Sequence, residues 1–205
     1  MRGKQQINTS RIKQYLPEGA LPVLKDWLDL YPCKLWLAPT RTSKLGDFKA
    51  GHRNELPSIS VNYSLNPFAF LITLIHEIAH VKTWIEFGSK IKPHGDYWKA
   101  NYRLIGLSFL DCNIFPADVE QAFRKSLIQP GASSTGDEKL RILLNQYNQL
   151  PDIYLQDIDK DAVFSTGNGK VYIKGEQRTK RFVCKSLVNG QKYLLHPLTE
   201  VRPVE

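Results

Sequence analysis

The sequence predicts an α+β protein: a small sheet packed on one long apolar helix, with further helices around it and a small β-module after it. Three observations predict this. An apolar helical run opens at Asn66-Pro67 and stops near Gly88, an N-cap, a first-turn proline and a C-terminal glycine in the right order. Short strands with alternating patterns precede it. After Pro151 the composition turns to that of strands, and Asn189-Gly190 is a strong hairpin signal. The 205 residues are 42% hydrophobic and 23% charged, values of a folded chain with room for one domain and an appendage.

Each element has its own reason. Ala20 to Leu30 has helical spacing, with Pro22 in the first turn and Leu21, Leu24, Trp27 and Leu28 near one face. Lys34 to Ala38 reads as a strand, Leu45 to Lys49 as a weaker one, and Ser58 to Tyr63 as a strand with Ile59 and Val61 on one face. The helix after Asn66 is apolar on most sides, so it belongs at the centre of the domain. Further helices are expected at Asp96 to Ile105, Ala117 to Ile128 and Asp137 to Tyr147, with a flexible connection at Gln129 to Gly136. Val171 to Ile173, Phe182 to Cys184 and Tyr193 to Leu195 suggest a module of three or four strands.

The net charge of +8 is uneven. Residues 1–16 carry +4, residues 17–161 carry −1 and residues 162–205 carry +5. This divides the chain into a basic N-terminal segment (1–16), a main domain (17–150), an acidic linker (151–161) and a basic β-module (162–205). Two basic ends favour a polyanionic partner such as nucleic acid. Cys33, Cys112 and Cys184 stand far apart with no CxxC, which argues against a disulfide framework and for a reducing, cytoplasmic setting. Residues 1–16 lack the apolar stretch of a signal peptide, and the run Pro67 to Ile75 is short for a bilayer before His76 and Glu77 interrupt it. A monomer without membrane contact is expected.

The chemistry lies in His76-Glu77-Ile78-Ala79-His80, an HExxH sequence on the central helix. Residues i and i+4 share a helical face, so both imidazoles reach one metal ion, with Glu77 beside them as general base. Composition alone yields this pattern in roughly 0.005 of such chains, so chance is a weak competitor. A catalytic zinc needs a third protein ligand and an open position. Of His52, His94 and His196, the best placed is His94, in Pro93-His94-Gly95 ahead of the next helix. Glu120 ranks below it. Glu86, six residues past His80, turns away from the metal face. Trp98, Tyr102 and Ile105 form an i, i+4, i+7 stripe that packs their helix on the core.

HEIAH at 76–80 followed by PHGDYW at 93–98 resembles the SprT-like metalloprotease family, which includes the Spartan-type proteases. SKLGDF at 43–48 and ISVNYSLNP at 59–67 are similar to the strands ahead of the motif helix in bacterial members. The resemblance covers roughly residues 17–130. It implies a zincin-like fold, one catalytic zinc ligated by His76, His80 and His94, Glu77 as general base, and hydrolysis of peptide bonds, with proteins trapped on DNA as substrates. Many family members end in a zinc ribbon with two cysteine pairs, whereas this tail has Cys184 alone with His196 nearby, too few ligands for a second zinc.

These residues make the expected partners a protein substrate and single-stranded DNA held through the basic termini. Tyr63, Tyr97, His52 and Arg53 are candidate oxyanion donors, and Ser58 to Tyr63 is the expected sheet edge for a substrate strand. Interleaved bases and aromatics (Tyr172, Lys174, Lys180, Arg181, Phe182) read either as a single-strand binder or as a hairpin with one solvated basic face. Asp157, Asp159 and Asp161 imitate a calcium loop that lacks its glycine and glutamate. The alternative function is a nucleic-acid-binding protein with a zinc site and vestigial or no protease activity. A small-amide hydrolase of the deformylase kind would want a cysteine ligand.

Overall fold

The computed structural model describes residues 3–41, 44–52, 55–131 and 137–204. The chain forms two compact units, residues 1–149 and 150–205. In the first, the elements run β1 (Gln5–Ile7), α1 (Thr9–Ile12), a 3₁₀ turn, α2 (Ala20–Leu30), β2 (Lys34–Ala38), β3 (Gly46–Lys49), β4 (Ser58–Asn62), α3 (Pro67–Phe87), α4 (Asp96–Leu110), α5 (Ala117–Ser126) and α6 (Glu138–Asn145). With two sheets and six α-helices among the described residues, the chain is α+β.

The sheet has the order β1-β2-β4-β3. β2 and β4 run parallel, and the other two pairs are antiparallel. Two expectations change here. β4 is an interior strand, so the edge is β3, whose short GDFK pattern carries little alternation of its own. The N-terminal segment does not stand apart: β1 pairs with β2, and Ile7, Ile12 and Leu16 are buried in the main core. Its bases hid three apolar anchors spaced four or five residues apart.

α3 forms as its ends dictate. Asn66 Oδ1 accepts the Ala69 N–H at 3.0 Å, and Gly88, at φ 75°, closes the helix with its N–H on Trp84 O. Its 21 residues are long and apolar enough to cross a membrane by length and composition, with 78% of the apolar window buried inside the protein. Such a helix is apolar all round because β3, β4 and α4 pack against it. α4 runs past its expected end. Gly106 does not stop it but lets Leu127 close in, since a Cβ there would meet Leu127 Cδ1 at 2.8 Å.

The second unit holds β5 (Ile153–Tyr154), a 3₁₀ turn (Leu155–Asp157), β6 (Val163–Thr166), β7 (Val171–Arg178), β8 (Arg181–Ser186), β9 (Lys192–Leu195) and β10 (Glu200–Pro203). They form one sheet of six strands in the order β5-β10-β6-β7-β8-β9, more than the three or four expected. The acidic stretch 151–161 is no linker. It supplies β5 and a turn whose Gln156 and Ile158 carbonyls accept from the buried Lys174 ammonium. With that stretch included, the unit carries nine bases against seven acids, and the first unit nineteen against thirteen. Tyr172 and Lys174 point inward, and Lys174 lies 4.3 Å from the Phe182 ring centroid. Part of the base–aromatic interleaving is therefore core packing.

Candidate metal centre

α3 delivers His76, Glu77 and His80 to one place. The turn after Gly88 brings His94 back against them. His80 Nε2 stands 3.0 Å from His94 Nε2, which stands 3.2 Å from His76 Nε2, and the three form a cluster within 4.8 Å. Each nitrogen carries either a proton or a lone pair, so three that converge cannot all be satisfied by one another. His94 is held at φ 56°, a left-handed conformation uncommon for a residue with a side chain. Gly95 serves the turn itself, its N–H on Lys92 O at 3.0 Å.

Trp98 forms the floor. Its ring centroid lies 4.6 Å from that of His76, 5.2 Å from His80 and 4.7 Å from His94. Phe48, on β3, stacks on His80 at 5.7 Å. The stripe of Trp98, Tyr102 and Ile105 is buried, as its spacing requires, and its first member also orients the imidazoles. Two buried polar side-chain atoms lack a hydrogen-bond partner among the described residues, His76 Nδ1 and Trp98 Nε1. Both belong to this centre.

Electrostatics keep the imidazoles neutral. Burial, then the neighbouring histidines, pushes His76 down to about 2. Burial and His94 push His80 down to about 3, and burial lowers His94. Their lone pairs are therefore free near neutrality, as metal ligands require. Burial, then the charge of Asp47, pushes the Glu77 carboxyl up to about 8, while Arg41 and Lys44 pull it back. The cluster could hold a metal ion. The separations of His94 from His80 and His76 are close to the roughly 3.3 Å between nitrogens 2.0–2.1 Å from a tetrahedral ion, a geometry compatible with zinc among others.

A cavity of about 450 Å³ opens over the cluster, walled by β3 (Gly46, Asp47, Phe48) and by the end of α3 and the loop after it (Trp84, Ser89, Lys92). Glu77 lines it with the three histidines. The expected oxyanion donors do not. Tyr63 and Tyr97 are exposed, Tyr97 stacking on Phe87, and His52 is not part of the wall. Arg53 lies outside the described residues. Glu120 pairs with Arg124 at 3.0 Å, and Glu86 turns to Lys82. Cys33 is half-buried, its thiol pushed up to about 12 by burial, and no cysteine joins the cluster. Sequence reasoning missed β3 as a wall of the site. Its signal was Gly46, a glycine inside a strand, which marks a close approach.

No family model, curated protein or solved structure matches this chain.

Proposed function

We propose that the chain is a zinc-dependent peptidase of the zincin, SprT-like type that cleaves proteins bound or crosslinked to DNA. One observation carries the reading: three imidazole nitrogens converge beside a buried glutamate at the floor of an open cavity. A structural site would bury its metal behind four ligands and has no use for Glu77.

His76, His80 and His94 would hold the zinc. Bound there, zinc would supply Lewis-acid polarisation of a substrate carbonyl and acidify a water molecule. The charge of a bound cation beside it would favour the ionised form of Glu77, which then accepts a proton at its carboxylate and returns it to the leaving amine. The β3 edge offers backbone N–H and C=O groups to an extended substrate strand, with Phe48 and Trp84 as apolar walls. Trp98 excludes water from beneath the ligands and fixes their rings. The DNA half of the reading rests on the surplus of bases, most of it in the first unit.

The test is cleavage of a basic, DNA-bound protein with and without single-stranded DNA. Glu77→Gln should keep about one zinc per chain and lose at least about 100-fold in kcat. Cleavage at the wild-type rate by that variant removes Glu77 from the mechanism. DNA binding without cleavage by the wild type favours the nucleic-acid-binding alternative.

A further inference from the structure

We propose that Gly46 is a positioning residue for Glu77: β3 lies so close across the glutamate that only a residue without a side chain leaves the carboxylate at the metal centre. The proposal rests on the peptidase reading of Glu77. A Cβ built at position 46 would stand 2.2 Å from Glu77 Oε1 and 2.8 Å from both Cγ and Cδ, inside the 3.0 Å that real Cβ atoms keep. Backbone conformation is not the reason for this glycine. Gly19, Gly88, Gly169 and Gly190 have positive φ, and Gly46 does not. An alanine would suit its backbone, and the nearest atoms its Cβ would meet are those of Glu77.

Of the two sides, β3 is the one that cannot yield. Glu77 is rooted in a buried stretch of α3 but lines the cavity, so its carboxylate end is the part that can swing away. The chain just ahead of Gly46 is fastened to the interior strand β4. Arg41 Nε donates to Asn62 Oδ1 at 2.8 Å and Nη1 to Ser60 Oγ at 3.2 Å. Asn62 Nδ2 donates to Lys44 O at 3.1 Å, and its backbone N–H to Leu45 O at 2.9 Å. These bonds hold Arg41, Lys44 and Leu45, and with them the start of β3, in place. With the start of β3 fixed, a methyl group at 46 displaces the carboxylate. A reacting group misplaced by about 1 Å costs on the order of 100-fold in rate.

The experiment is a pair of double-mutant cycles on the full chain. In the first, Gly46→Ala lowers kcat about 100-fold with KM and zinc content held. Most of that loss disappears in a Glu77→Asp background, where the carboxylate is retracted by one carbon. In the second, the thermal midpoint falls by several degrees on Gly46→Ala and far less when Glu77→Ala has made room. Should Gly46→Ala alone fail to fold, folding of the double variant with Glu77→Ala supports the proposal and its failure overturns it. Equal losses in both backgrounds, or a wild-type kcat for Gly46→Ala, overturn it too. If the wild type cleaves nothing, the peptidase reading falls, and the thermal cycle still decides whether residue 46 and Glu77 compete for one space.

Discussion

Two polar groups sit on adjacent turns of α3, and they are built in opposite ways. His76, Glu77, Lys82 and Thr83 are all 5–7% exposed. Around Lys82 every bond is closed within the chain. Its ammonium donates to Tyr31 Oη at 2.6 Å and to Glu86, and it lies 4.5 Å from the Tyr31 ring centroid. Asn101 Nδ2 donates to Glu86 Oε2 at 3.2 Å and to Thr83 Oγ1 at 3.0 Å, and Thr83 Oγ1 donates to Ala79 O. Burial works against both charges, yet the hydrogen bonds raise Lys82 and lower Glu86, so both remain ionised. Around His76 the opposite holds: burial pushes the imidazoles down and the Glu77 carboxyl up, against their charged forms, and His76 Nδ1 and Trp98 Nε1 lack partners. A buried polar network that closes on itself is architecture. One in which three Nε2 atoms converge without satisfying one another is open to a ligand.

The sharpest way to break this contrast is to remove a ligand. His80→Ala should cut zinc content from about one per chain to near zero at micromolar metal, and abolish cleavage with it. Metal analysis after gel filtration checks this. Full occupancy in that variant would show that the cluster is as self-contained as the Lys82 network. The next effect is on stability. Glu86→Ala strands a buried ammonium and should cost about 2 kcal/mol, below the 3–5 of a fully buried pair because Glu86 is partly exposed. Urea unfolding measures it, and zinc content should not change. Loss of zinc alongside stability would merge the two networks into one.

How much of this was legible in the sequence follows from what each residue depends on. Both ends of α3 were readable, because Asn66, Pro67 and Gly88 are local signals. His76, Glu77 and His80 were readable because helical spacing alone puts them together, and His94 because few other histidines compete. Gly46 signals a close approach but not its partner, since the contact with Glu77 requires the antiparallel register of Gly46 against Val61. The edge differs from expectation for the same reason: the Ser58 to Asn62 pattern marks a strand but not its place in the sheet, because pairing order is a property of strands distant in sequence. Charge misled twice. Residues 1–16 and 151–161 were set apart by their ionised side chains, while Ile7, Ile12, Leu16 and Leu155 between those charges are core.

The smallest expected effect concerns pH, and it separates the two networks by sign. In the metal-free protein Glu77 titrates near 8 when folded, against 4.5 ordinarily. Between those values the folded state binds more protons than the unfolded one, so stability falls as pH rises through 8. The histidines act the other way. Folded values near 2 for His76 and 3 for His80, against 6.5 ordinarily, make the unfolded state the better proton acceptor, so stability grows with pH up to about 6.5. Together these groups give the metal-free protein a stability maximum near pH 6.5, with the alkaline arm owned by Glu77. Thermal unfolding from pH 5 to 9 in chelator should therefore show a decline above pH 6.5 that Glu77→Gln removes. The Lys82 and Glu86 charges persist across that range and contribute no slope. Zinc should also flatten the alkaline arm, because a cation beside Glu77 favours its ionised form. A decline that survives both Glu77→Gln and zinc would place its proton elsewhere, and the open network would lose its claim to be the only pH-sensitive part of α3.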